Sequence, residues 1–205
     1  MTQTPTQNNQ KNGAVIYLFG FPGVGKNTIA QDIEKQSAGA SQNFIAIHNH
    51  LLSNGLRHVV SRLDKTSYAR IEKDLHHHTM KAWLNFLDFV TKAIPQQGLV
   101  FTSVLYDNDP ARVEFFNFMR RWATEQNRPF YPVRLICDEH ELRTRLQSDN
   151  RKQSFKLTNP DILHDLMQKH EILAPDDCLT LDITHLPPQQ SAAQIIAACS
   201  DKQDT

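Results

Sequence analysis

Residues 20–28 read Gly20, Phe21, Pro22, Gly23, Val24, Gly25, Lys26, Asn27 and Thr28, the spacing G-x-x-x-x-G-K. Glycines at these positions let backbone N–H groups turn toward one point, a geometry that surrounds phosphate oxygens. A helix starting there adds the positive end of its dipole. The lysine ammonium then reaches the β- and γ-phosphates as a point charge. The pattern is informative when it follows a buried strand and precedes a helix. Residues 14–20 (AVIYLFG) are an apolar run of strand type, and residues 27–37 read as a helix. One position departs from the Walker A pattern. Where Ser or Thr would offer a hydroxyl to Mg2+, this chain has Asn27, followed by Thr28. An amide oxygen also coordinates Mg2+. Two readings follow: the metal is held through Asn27 or through water, or catalysis is weakened in a site that mainly binds nucleotide.

The rest of the chain supplies the frame for this turn. Apolar strand runs at 44–48 (FIAIH), 99–105 (LVFTSVL), 131–137 (YPVRLIC) and 178–183 (CLTLDI) alternate with helical patterns at about 50–94, 109–126 and 138–147, from Asn159 onward, and at 192–199. Asp109, Asp138 and Asn159 stand at N-cap positions, two of them before a proline suited to the first helical position. Trp83, Phe86, Leu87 and Val90 form an apolar stripe, and Phe89, Phe115, Phe116 and Phe118 read as further core residues. Strand and helix in alternation predict a parallel α/β sheet covered on both faces. Such sheets bind ligands at the carboxyl ends of their strands. The residues that follow each strand are therefore the candidates for chemistry.

After the second strand come His48, Asn49 and His50, followed by Leu51 and Leu52. A neutral imidazole accepts a proton near neutral pH, so His48 is a candidate base or substrate ligand. The competing reading is that these polar residues cap the next helix. Within the third strand Thr102 or Ser103 is placed to touch a metal-bound water, and after it Asp107 to face a substrate; no Asp lies inside that strand. Between Arg143 and Lys156 run five cations, Arg143, Arg145, Arg151, Lys152 and Lys156. Arginine's planar fork meets phosphate oxygens in pairs. A solvated helix face is the competing reading of that run. His76, His77 and His78 point about 100° apart along a helix and read as surface residues.

With these segments the chain resembles the P-loop small-molecule kinases of the shikimate kinase, gluconate kinase and adenylate kinase type. It looks more closely like the small bacterial "AAA family ATPase" or shikimate-kinase-like proteins. The resemblance spans about residues 13–200 and rests on the P-loop, on His48-Asn49-His50-Leu51-Leu52 and on the arginine-rich run. It implies a five-stranded parallel sheet in the order 2-3-1-4-5, in three layers. It implies ATP and Mg2+ as cofactors and transfer of the γ-phosphate to a hydroxyl of a small metabolite. Lys26, Arg145, Arg151 and His48 would be catalytic. His48, Asn49, His50 and Asp107 would bind the acceptor, and Asn27 the metal. His48 departs from the family, where an acidic residue stands at that place. Residues near Asp182-Ile183-Thr184 would lie beside the adenine. A helical region at about 50–95 would form the acceptor pocket and residues 145–157 a lid. The alternatives are a nucleotide-binding regulatory or resistance protein with slow NTPase activity, and a polynucleotide 5′-hydroxyl kinase.

Composition bounds these readings. The chain has 205 residues, with 22 Lys plus Arg balancing 22 Asp plus Glu. That balance argues against a general nucleic-acid binder, which needs a basic excess. The length fits one domain over 13–200, with the polar residues 1–12 and 201–205 expected as disordered or frayed tails. Cys137, Cys178 and Cys199 are too scattered for a disulfide framework. A cytoplasmic protein without signal peptide or membrane span is the expectation.

Overall fold

The computed structural model describes residues 12–40, 42–48, 62, 65–147 and 157–201. Five strands lie in one parallel sheet: β1 (Val15–Phe19), β2 (Phe44–Ile47), β3 (Gly98–Ser103), β4 (Phe130–Ile136) and β5 (Leu179–Asp182), in the order β2-β3-β1-β4-β5. This is the order expected from the sequence. The helices described are α1 (Lys26–Ser37), α2 (Lys65–Ala93), α3 (Pro110–Glu125), α4 (Glu139–Leu146), α5 (Pro160–Lys169) and α6 (Pro188–Asp201). Among the described residues no helix is long and apolar enough to cross a membrane.

Alternation along β1 divides the core. Val15, Tyr17 and Phe19 pack into a cluster with Trp83, Leu87 and Val90 of α2 and Phe116, Met119 and Trp122 of α3. Ile16 and Leu18 face the other side, against Ile29 and Ile33 of α1, Leu142 and Leu146 of α4, Leu163 of α5 and Ile195 of α6. All five residues of β1 are buried, so it is the centre of the sheet and of both cores. Asp109, Asp138 and Asn159 cap α3, α4 and α5 through their side chains, as the sequence indicated.

Several boundaries move. The second helical stretch, expected from about His50, is seen as α2 from Lys65, and 49–61 lie outside the described residues. Strand β3 stops at Ser103, short of Leu105, because the next carbonyls leave the ladder: Val104 O accepts from Arg112 and Leu105 O from the N–H of Leu173. The last helix begins at Pro188, four residues before Ala192, with proline at its start. It runs through Ser200 to Asp201, into the stretch expected to fray. Phe89 is 64% exposed rather than core, since it lies about 200° around the helix from Leu87. Asn12 does not belong to a disordered tail. Its N–H donates to Asn127 O at 3.1 Å and its Nδ2 to Gln126 O at 2.8 Å.

Arg128 ties the amino edge of the sheet together. Only 3% exposed, it donates through Nη1 to Gly13 O and Gln97 O, each at 2.8 Å, and through Nη2 to Ile94 O at 3.3 Å. Its guanidinium lies over the Trp122 ring, 5.7 Å from the centroid. Burial pulls its pKa below the ordinary value, so the carbonyls carry the cost of holding a cation inside. Arg128→Met keeps the apolar stem and leaves the buried carbonyl of Gly13 and the half-buried carbonyls of Gln97 and Ile94 without this donor. It is expected to lower stability by about 2–4 kcal/mol, read as a lower urea midpoint with unchanged slope. A midpoint within error of wild type would show that the edge holds without this residue.

Candidate active site

The loop between β1 and α1 stands at the centre of the carboxyl edge. Phe19, the last residue of β1, is in register with Ser103 of β3 and Arg134 of β4. The chain therefore leaves the sheet level with the end of β3 and beside β4, which continues to Ile136. Gly20 passes close to β4: a Cβ there would stand 2.5 Å from Leu135 O, so only glycine fits. Gly25 is the N-cap of α1 at φ 100°, a left-handed conformation that disfavours side chains. Between them Val24 is buried and anchors the loop to the core. The loop closes on itself through Val24 N–H to Phe21 O at 3.3 Å.

Lys26 opens α1 and folds back over this loop. Its Nζ donates to Gly20 O and to Phe21 O, both at 2.8 Å. The ammonium is thus held inside the ring of backbone that the motif was expected to form. The first N–H groups of α1, on Lys26, Asn27 and Thr28, have no intrahelical acceptor by construction and are available to an anion. Asn27 is half-buried beside the loop and Thr28 is exposed.

Arg145 joins the loop to the far side of the edge. It lies on α4, where Nη1 donates to Val24 O at 3.4 Å and Nη2 to Ile183 O at 2.9 Å and Thr184 O at 3.1 Å. Its Nε meets Glu141 Oε1 at 2.8 Å. The arginine expected in the lid thus braces the P-loop against the segment after β5. That segment is itself fixed: Thr184 donates through N–H and Oγ1 to Asp182 Oδ1, and the Asp138 N–H donates to Thr184 Oγ1 at 2.9 Å. These bonds from Thr184 hold the Asp182 carboxyl below its usual pKa. Burial raises the Cys137 thiol, partly offset by Arg145.

His48 follows β2 directly and is half-buried, two strands from the P-loop. Thr102 is buried at the end of β3, and Ser103 Oγ donates to Val104 O at 3.3 Å. Burial pushes Tyr17 beneath them up to about 12, partly offset by a hydrogen bond with Ser103. Asp107 is exposed, with its N–H on Glu171 O at 3.1 Å. Asn49, His50, Arg151, Lys152 and Lys156 lie outside the described residues. Sequence reasoning missed a cluster beside the loop: the Phe21 ring lies 5.8 Å from Tyr106, which stacks on His170 at 4.3 Å and carries Arg112 at 5.4 Å. The one local sign of it was an arginine three residues after the capping Asp109.

A family model described as an AAA domain matches residues 16–162, more than two thirds of the 205. The chain belongs to the AAA domain family. No functionally curated protein matches the sequence. Among solved structures, this AAA domain is similar to a gluconokinase from Sinorhizobium meliloti 1021, at 13% identity and TM-score 0.56, covering 94% of each chain. It is similar to the tunicamycin resistance protein of Deinococcus radiodurans, at 19% identity and TM-score 0.57, covering 91% of this chain and 95% of that one. Thymidylate kinase from Candida albicans matches at 12% identity and TM-score 0.56, with 95% and 94% covered. At these identities the likeness establishes the fold, that of the P-loop kinases.

The contact at Gly20 generates a prediction. Gly20→Ala places a methyl against a backbone oxygen of β4 that cannot yield as a side chain would. The loop must shift, at about 1–3 kcal/mol. A lower melting temperature and weakened nucleotide binding by calorimetry are expected together. A variant with both values unchanged would refute the close approach.

Proposed function

We propose that this AAA domain is an ATP-dependent phosphotransferase that moves the γ-phosphoryl group of ATP to a hydroxyl of a small metabolite. The observation that carries the proposal is Lys26, held by Gly20 O and Phe21 O inside a glycine turn on the central strand. In this reading residues 20–28 bind the phosphates and Lys26 stabilises charge on the β- and γ-oxygens. Arg145 keeps the loop seated through Val24 O. His48, at the end of β2, receives the acceptor's proton. Asn49, His50 and Asp107 complete the acceptor side from the sequence resemblance, and Arg151 with Lys152 and Lys156 covers the transferring group. One domain over 13–200 contains all of these.

The donor set fits Mg2+ in a particular way. Asn27 offers one neutral amide oxygen in the first turn of α1. Among the described residues no group of three or more His, Cys, Asp or Glu is placed to hold a metal. Such a set suits an ion bound chiefly by phosphate oxygens and water, with Asn27 as its protein ligand. Bound there, Mg2+ would neutralise charge on the β- and γ-phosphates. The weak donor set also supports a second reading, a nucleotide-binding regulatory or resistance protein with slow NTPase activity.

Two outcomes test these readings. ATP consumption is expected to rise in the presence of one acceptor class, drawn from metabolites, nucleosides and 5′-hydroxyl oligonucleotides. Lys26→Met is expected to reduce that turnover by at least about 100-fold. Nucleotide binding without stimulation by any class would favour the regulatory reading, and stimulation by oligonucleotides alone a polynucleotide kinase. Asn27→Ser is expected to lower the Mg2+ concentration needed for half-maximal turnover several-fold. If the serine variant were no better at any Mg2+ level, Asn27 would not be the metal ligand.

A further inference from the structure

A cavity of about 510 Å3 opens on the flank of the molecule, with no P-loop residue in its walls. Helix α3 forms one wall, through Phe116 and Arg120. The segment between α5 and β5 forms the other, through Leu173, Pro175, Asp176 and Asp177. Arg120 lies about 15 Å along α3 from Pro110, where the helix leaves the carboxyl edge. Asp177 stands just before Leu179, at the amino end of β5. The cavity is of a size that holds a small organic ligand.

Its charges are unevenly matched. Arg120 donates through Nη1 and Nη2 to the two carboxylate oxygens of Asp177, at 2.9 and 3.0 Å. The guanidinium carbon stands 5.0 Å from the centre of the Phe116 ring and 5.5 Å from that of Phe130. A bidentate pair held over two aromatic rings has a fixed geometry and matches one charge with one. Asp176 precedes Asp177 in the same turn, and its exposed carboxylate has no ion-pair or hydrogen-bond partner among the described residues. The Cys178 N–H closes the turn on Pro175 O at 3.0 Å, which fixes the backbone that carries both acids. The cavity thus sets one unmatched negative charge beside the half-buried side chains of Leu173 and Pro175.

We propose that this cavity binds a small organic cation, a primary amine carried on an apolar body. The proposal is independent of the phosphotransferase reading, because neither the P-loop nor the residues assigned to the acceptor line the cavity. The ammonium meets Asp176, with the paired Asp177 beside it. The apolar body displaces water from Leu173, Pro175 and the methylene stem of Arg120. An anion would face Asp176 and find the guanidinium taken. A neutral molecule of the same shape gains the apolar contact alone. The walls are joined to the rest of the domain: the Phe116 ring lies edge-on to Phe19 at 6.0 Å, and the Leu173 N–H donates to Leu105 O at 3.0 Å. A ligand that binds only the folded chain raises its melting temperature.

The test is calorimetry on the full chain with three probes that share a phenyl body: phenethylamine, 2-phenylethanol and phenylacetate. Phenethylamine is expected to bind one site with a Kd of about 1 mM or below. The alcohol is expected to bind about tenfold more weakly, and phenylacetate and methylamine not to bind. Asp176→Asn removes the charge at an exposed turn position. It is expected to weaken phenethylamine about tenfold and to leave 2-phenylethanol unchanged, while Asp176→Lys abolishes binding of the amine. A saturating non-hydrolysable ATP analogue is expected to leave phenethylamine bound. A Kd for phenethylamine weaker than about 10 mM, equal affinity for the three phenyl probes, amine binding unchanged in Asp176→Asn, or displacement by the nucleotide analogue would each overturn the proposal. Should a variant melt early, amide chemical shifts of the wild type decide. Shifts induced by phenethylamine that are largest at 116–120 and 173–177 support the site, and shifts that are largest elsewhere overturn it.

Discussion

Strand β1 is buried on both faces and paired on both sides, and the remaining geometry follows from that. A strand enclosed by β3 and β4 can leave the sheet only upward, through whatever space its neighbours allow. Leu135 O limits that space at Gly20 to a residue without a side chain. The turn is then committed to a narrow path over the sheet's edge, and α1 must start where the path ends. The position of this loop is thus a consequence of core packing. Val15, Tyr17 and Phe19 on one face, with Ile16 and Leu18 on the other, fix the loop as firmly as any residue within it.

The same edge is stiffened at two further points. Thr184 links the ends of β4 and β5 by bonding both Asp138 and Asp182, and Arg145 carries that rigidity across to Val24 in the loop. On the other side Leu105 O receives the N–H of Leu173, and Glu171 O that of Asp107. Tyr106 and Ile172 meet there in an antiparallel bridge. The segment after α5 is thereby fastened to the loop after β3. The phosphate-binding role proposed for the loop works best when its backbone dipoles need no reorganisation, and the two fastenings favour that condition from opposite sides.

The legible parts of this molecule are those whose cause is local in sequence. The P-loop could be read because its glycines, lysine and following helix are contiguous and the strand before it is apolar. The caps at Asp109, Asp138 and Asn159 were readable for the same reason, each acting within three residues. Strand order followed from a family resemblance carried by that loop together with the segment from His48 and the arginine-rich run. The bond from Arg145 to Val24, 121 residues apart, has no local signature, and the family resemblance cast Arg145 as a lid residue. The Tyr106–His170 stack joins positions far apart in the chain and was invisible likewise. Phe89 misled because hydrophobicity was counted without its angle around the helix. The end of β3 was misplaced because Val104 and Leu105 are apolar, whereas their carbonyls are claimed by Arg112 and Leu173.

A chain of zero net charge holds its cations here by a common device. Where strands and helices end, carbonyls lose their ladder partners, and a guanidinium or ammonium can take several at once. Lys26 takes Gly20 and Phe21, Arg145 takes Val24, Ile183 and Thr184, Arg112 takes Val104, and Arg128 takes Gly13, Gln97 and Ile94. A carbonyl orients a cation without cancelling its charge, whereas a carboxylate does both. Exposure then separates the roles. Arg128, sealed at the amino edge with 3% of its surface exposed, can meet no ligand, so its bonds serve the fold alone. Lys26 sits at the carboxyl edge, where the strand ends leave room for a ligand. Its two carbonyl bonds orient the ammonium without cancelling its charge, which is what the phosphate binding proposed for the loop requires.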